Sequence, residues 1–465
     1  MASGLLFASI LGCGDLFRPI VTSVPPVEPS AQPIKYAVVT TCGNNTNASA
    51  ITIDQVCANS TVPGLASVVD FAGDTLTVRL NLGNGPRWAV IAPNSFGNAG
   101  YVYTTNADGT ISSFYITTQV ETNNVFTSTL LKDAAPNTML STTKYLYVSQ
   151  PGRDSIGVMQ SSNGLQAPGV FLEIPLIDPK NPTAAQHPVN LVGNPNTQRI
   201  YAISYAASQR NSDGSCSASG PGGTATGIET ETNTPSSALP LGLCPIYGVM
   251  SLDDRRTFIL NQGSGTVSVI DSEQNQIDTN SNLANGQTGI PAGQIPVGQD
   301  PVWADIYNNG AILAVVNEQP NAATGTLTLI NISVDSFGND SPNFGKIIAT
   351  VPVGNDPDSV SILQDGTRAY VANHGDGTVS VVSLTSNTVT KTVSLPQEPC
   401  TASNPNVLCT IHPISIAATT GTPTGKVYVV SPDTDILTII DTVDDTIGAN
   451  LQLTGNGIQV RLTSP

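Results

Sequence analysis

One spacing governs this chain. A proline recurs at Pro86, Pro136, Pro188, Pro245, Pro301, Pro357 and Pro413, at intervals of 50, 52, 57, 56, 56 and 56 residues. Behind each proline comes a second signature: YVYTTN, YLYVSQ, IYAISY, FILNQG, LAVVNE, AYVANH and VYVVSP. A period of this length marks a repeated supersecondary unit that must stack on its neighbours to bury its apolar faces. The unit from Pro357 reads as four short strands, SVSIL, RAYVAN, TVSVVSL and TVTKTVSL, with Asp365-Gly366 and Asp376-Gly377 as turns. Alternation with turn signals about every ten residues is an all-β pattern. Proline has no N–H to donate, so it suits the start of a strand. Four-stranded blades around a channel, a β-propeller, fit this period.

The two ends complete the count. Residues 35–82 hold KYAVVTTC and LASVVDFAGDTLTVRLNLG, a unit without its first strand, and GIQVRL at Gly457–Leu462 is a first strand without the rest. Together they make a composite blade with the C-terminal strand innermost, which removes exposed strand edges. Eight blades are expected; seven would follow if the Pro188 unit were an irregular insertion. Residues 34–465 then form a single propeller domain.

Composition agrees with this and narrows the partners. The 465 residues include 42 Gly and 34 Pro, and only 11% are charged, which favours many short strands over long helices. The net charge of −17 argues against nucleic acid, whose phosphates need clustered Lys and Arg. No coiled coil, collagen repeat or basic membrane-surface helix is present.

The apolar stretch Gly4–Gly12 is too short to span a bilayer. It runs into Ile10-Leu11-Gly12-Cys13 and resembles a bacterial lipoprotein signal, in which the cysteine is lipidated. Two features depart from that pattern: no Lys or Arg precedes the apolar run, and Leu11 is bulky. An ordinary buried segment is the alternative. Residues 1–13 are read as the signal and 14–33 as a tether, since PIVTSVPPVEPSAQP (Pro19–Pro33) is Pro-rich and extended. Gly14 after Cys13 gives no inner-membrane Asp signal, which favours an outer membrane where two membranes exist. Setting Cys13 aside leaves six cysteines as near neighbours: Cys42 and Cys57, Cys216 and Cys244, Cys400 and Cys409. Six cysteines allow fifteen connectivities; the local one is simplest, and an oxidising compartment would explain it. None has CxxC spacing.

The strings AYVANHGDGTVSVVSLTSNTVTKTV and GSGTVSVIDSEQNQI with IPVG resemble the YVTN-type β-propeller repeat proteins. The likeness covers nearly the whole chain past the tether and is strongest from Pro245 onward. It implies an extracytoplasmic propeller, close in fold to lactonase-like propellers and to quinoprotein amine dehydrogenase subunits. Fold alone does not assign activity.

In a four-stranded blade the second-to-third connections and the blade-to-blade connections share one face, here called the upper face. The long insertions Thr41–Leu65, Ser208–Gly223, Glu318–Gly325 and Gln397–Ile411 fall there, with all six cysteines. Long loops on a rigid scaffold commonly bind; neutral drift is the alternative. The residues before the prolines, Gly85, Ala135, His187, Cys244, Asp300, Asp356 and His412, should ring the channel mouth. Among them His187, Asp300, Asp356 and His412 could hold a divalent metal or act as acid and base. Asp and His are also common turn residues, and His374 in NHGDGT reads as one. Trp88 and Trp303 share a position two residues after their prolines and are expected to pack in the core between blades. PDTD at Pro432–Asp435 could hold calcium weakly, but it lacks the twelve-residue ligand loop and closing Glu of a calcium site.

These readings give an envelope lipoprotein, anchored to its membrane only by lipid at Cys13. Its upper face would bind a protein or glycan partner, with no catalysis, no cofactor and a monomeric state expected. The alternative is a small-molecule or metal site at the channel mouth, in a lactonase-like hydrolase. A third reading is a surface protein that assembles with copies of itself.

Overall fold

A computed structural model describes residues 35–42, 57, 63–92, 100–116, 125–160, 169–177, 186–205, 209–211, 216–217, 220–280, 282–283, 290–307, 311–320, 322–399, 408–419 and 425–463. Cys13, the tether and Cys400 lie outside them. The chain forms an eight-bladed β-propeller of four-stranded antiparallel blades. Blades 1 to 7 span 86–129, 139–175, 187–240, 245–296, 301–352, 357–394 and 415–452. The Pro188 unit is a regular blade, so the ring has eight members, not seven.

Blade 8 is the composite one. Asn456–Leu462 is innermost and pairs with Tyr36–Cys42, followed by Pro63–Asp70 and Thr75–Asn84. First strands begin at their prolines in blades 1, 4, 5 and 6, but three residues late in blade 2 (Met139–Ser141) and two late in blade 7 (Ser415–Thr419). In blade 4 the outer position is shared by two short pieces, Gln276–Ile277 and Gln294–Pro296, both paired with Thr266–Asp271. A small hairpin, Glu398–Pro399 with Leu408–Cys409, stands between blades 6 and 7.

The repeat signature has a mechanical explanation. Its closing asparagine is a buried bracket: Asn373 Nδ2 donates to Thr378 Oγ1 and Ser380 Oγ, both at 2.9 Å, while its Oδ1 accepts from Gly354 N at 3.1 Å. Asn261 and Asn317 make the same set, each taking a glycine N–H and two hydroxyls of the third strand. The tyrosine of the same strand reaches into the next blade. Tyr147, Tyr201 and Tyr370 donate to Asn233, Asn275 and Asp445. All three acceptors hold a left-handed turn, with φ of 54°, 53° and 56°, a conformation Asn and Asp tolerate best after Gly.

First strands touch their neighbours around the ring and are stitched by side chains. Asp305 Oδ2 accepts from Ile362 N (2.8 Å), Ser361 Oγ from Ala418 N (3.0 Å), Ser415 Oγ from Val460 N (3.2 Å) and Gln459 Oε1 from Ala89 N (2.6 Å). Apolar clusters fill the spaces between blades, such as Val316, Leu327 and Leu329 against Val360 and Val371.

Candidate functional site at the channel mouth

A shared backbone feature shapes the mouth. In blades 1, 3, 4, 5 and 6 the register shifts between the proline and the residue two positions later. Such bulges re-aim side chains. Five of the residues before the prolines are left-handed: Gly85 (φ 61°), Ala135 (46°), Cys244 (47°), Asp300 (48°) and Asp356 (48°). That geometry accounts for Gly and Asp at these positions independently of any ligand.

Among the described residues, the pre-proline carboxylates and two of the three histidines gather in one sector. Blades 1 and 2 present Gly85 with Ala107, and Ala135 with Pro151; blades 5 to 7 present Asp300 with Glu318, Asp356 with His374, and His412 with Asp433. Backbone bonds fix the first two of these polar pairs: Glu318 N donates to Asp300 O at 3.0 Å and His374 N to Asp356 O at 2.9 Å. His374 Nδ1 lies 3.1 Å from Asp356 Oδ2, and His412 Nδ1 lies 2.7 Å from Asp433 Oδ2. The two imidazoles stand 5.0 Å apart between centroids. A carboxylate on Nδ1 fixes the ring orientation and leaves Nε2 as the outward nitrogen. This arrangement could move protons or bind a polar ligand.

The acids here share one field. Burial, then the carboxylates of Asp358, Asp356 and Asp300, push Glu318 up to about 8 against the pull of His374. Burial likewise raises Asp358 to about 6 and raises Asp300, which Arg210 partly offsets. Asp356 moves the other way, held below the usual carboxylate range by its hydrogen bond with His374.

Of the four residues singled out in the sequence, Asp356 and His412 are brought together through His374, and Asp300 joins them through Glu318. His187 stands elsewhere, with Nδ1 3.0 Å from Pro151 O and 3.2 Å from Asp154 Oδ1. Among the described residues no three His, Cys, Asp or Glu side chains converge in a way that could hold a metal ion. Glu318 and Asp358 escaped the sequence reading because neither stands directly before a proline. Glu318 was legible as the residue after the bracket asparagine Asn317, the position His374 holds in blade 6.

Disulfides brace this face. Cys42–Cys57 and Cys216–Cys244 form, with Cα–Cα distances of 5.5 and 6.0 Å. Cys409 is also disulfide-bonded. Such bonds persist in oxidising compartments. Much of the inserted loops themselves lies outside the described residues.

Deeper in the channel, Trp88 and Trp303 each pack on the core beside their blades, as expected. They also meet each other at 6.0 Å, although blades 1 and 5 are opposite members of the ring. Arg461 lies over both rings, 4.8 and 5.8 Å from their centroids, and Tyr247 stacks on Trp303 at 4.2 Å.

No protein-family model matches the sequence, and no curated protein matches it. Solved structures do. The dihydro-heme d1 dehydrogenase NirN in complex with DHE superposes with a TM-score of 0.61 at 11% identity, over 93% of this chain and 76% of that one. Apo AztD from Citrobacter koseri gives 0.55 at 10% identity, over 92% and 97%. A candidate 6-phosphogluconolactonase from Bacteroides fragilis gives 0.50 at 11% identity, over 93% and 99%. At these identities the likeness is one of fold: this chain is built as those propellers are.

Proposed function

We propose that the protein is an extracytoplasmic binding propeller of the YVTN type, held by lipid at Cys13, whose upper face takes a protein or glycan partner. The observation that carries this reading is the segregation of features between the faces. The disulfides and the polar sector share the upper face. Tyr36–Cys42 runs from the lower face to the upper, ending at Cys42 in the braced loop. On this reading the chain enters the ring at Lys35 on the lower side, opposite the disulfide-linked end of Tyr36–Cys42. A surface held by disulfides on a closed ring loses less entropy on binding than an unbraced one.

Lysine cross-linking of the full-length protein in its native envelope tests this. Lys132 lies in an upper connection, whereas Lys144 and Lys391 lie toward the lower face. Partner cross-links at Lys132, with Lys144 and Lys391 silent, are expected. The reverse pattern overturns the reading.

A second reading, a small-molecule site at the mouth of a lactonase-like propeller, is favoured by the paired His374–Asp356 and His412–Asp433. Thermal unfolding against metals, sugars and lactones tests it. A ligand at about a hundred times its dissociation constant adds about 2.7 kcal/mol, and Asp356→Ala or His412→Ala should abolish that gain. No shift with any of them overturns it.

A further inference from the structure

Below the mouth, the waist of the channel holds a cation with unused donors. Arg461 Nε donates to Ala89 O at 3.3 Å, and among the described residues no other acceptor bonds its guanidinium. A guanidinium carries five N–H donors in a fixed fork. The acid whose field it feels, Asp305, is committed elsewhere: its oxygens accept from Ile306 N at 2.9 Å and Ile362 N at 2.8 Å. Burial works against the charge on Arg461, so the group is partly desolvated without a counter-ion in contact. The flanking indoles of Trp88 and Trp303 fix its position by cation–π contact. The terminal nitrogens are left as an organised, planar pair of donors.

We infer that the channel waist is a binding site for a small monoanion with a flat apolar body, an aromatic carboxylate. Its carboxylate pairs with the terminal nitrogens of Arg461 and its ring lies against the Trp88, Trp303 and Tyr247 group. Bidentate pairing with carboxylate is the interaction this fork is shaped for. The surroundings select against higher charge. A dianion such as phosphate meets Asp305 beside it and the Glu318 and Asp358 group toward the mouth, in a protein of net charge −17. A small aliphatic acid leaves the aromatic surface uncovered. This site is separate from the partner-binding face and stands or falls independently of it.

The chain has two tryptophans, and both belong to this site, so intrinsic tryptophan emission reports on it alone. Benzoate titrated into the full-length protein should change that emission saturably, with an affinity at least about tenfold better than acetate or inorganic phosphate. R461Q should lose at least about tenfold in affinity, and R461K should retain a weaker response because an ammonium cannot pair with both oxygens. Where R461Q fails to fold by circular dichroism, the single variants Trp88→Phe and Trp303→Phe each keep Arg461 and one reporter. Both should then still saturate. Absence of a saturable response to benzoate in the native protein or in those single variants, an unchanged response in folded R461Q, or phosphate or acetate binding as tightly as benzoate would each overturn the assignment.

Discussion

The phenol of Tyr370 donates to Asp445 Oδ1 at 2.6 Å, joining the second strand of blade 6 to the outer turn of blade 7. Arg368 meets the same carboxylate. Tyr428 occupies the matching place in blade 7, fully buried, but among the described residues its hydroxyl has no hydrogen-bond partner. Removing a made bond and removing an unmade one should differ in sign. Tyr370→Phe is expected to cost about 1–1.5 kcal/mol, whereas Tyr428→Phe should be neutral or stabilising. Denaturant midpoints of the two variants, measured side by side, check this.

Asn373 holds three groups at once and is fully buried. Asn373→Ala leaves a glycine N–H and two hydroxyls short of a partner, so a loss of about 2–3 kcal/mol is expected. Asn373→Asp should be no better, because it buries a carboxylate where a neutral amide stood. Urea unfolding of both variants provides the measurement.

The mouth carboxylates predict a pH dependence with a definite sign. Glu318 titrates near 8 in the folded chain, against an ordinary value of 4.5, so between those limits the folded state binds more protons than the unfolded one. Its contribution is complete below about pH 4.5 and is lost as pH rises toward 8. Asp358, raised to about 6, adds the same sign over a lower window. Stability should therefore fall from pH 5 to pH 8. Glu318→Gln should flatten that slope and raise stability at pH 8 by about 1–3 kcal/mol. Melting curves across that range, native against variant, decide it; a variant with an unchanged slope would remove Glu318 as the cause.

Ring closure depends on Asn456–Leu462. Deleting residues 456–465 strips the inner partner from Tyr36–Cys42 and leaves its edge open. An unpaired edge templates association, so the truncated chain should lose its single cooperative transition and aggregate. Size-exclusion chromatography with calorimetry checks the outcome.

The blade count and the composite closure were legible because proline spacing, turn dipeptides and alternation all report on local backbone. The meeting of Trp88 with Trp303 was not, although the signal was present: both lie two residues past their prolines, four units apart, and in a ring of eight that means opposite sides. Their approach also depends on bulges, which leave no composition signature. The pre-proline residues were legible as a ring, but left-handed backbone alone explains Gly85, Asp300 and Asp356. His374 looked like a turn residue because its neighbour in space, His412, is 38 positions away in sequence. Glu318 is unusual for its surroundings and not for its type, so its raised value has no counterpart in the sequence string.

The strand that seals the ring lies C-terminal to every other strand in it. A chain still being made can stack seven blades and the outer three strands of the eighth, yet it keeps an open seam between Tyr36–Cys42 and blade 7. Every shorter product is thereby distinguishable from the finished one by an accessible strand edge. The composite blade makes circularity a property that only a chain reaching Leu462 can acquire.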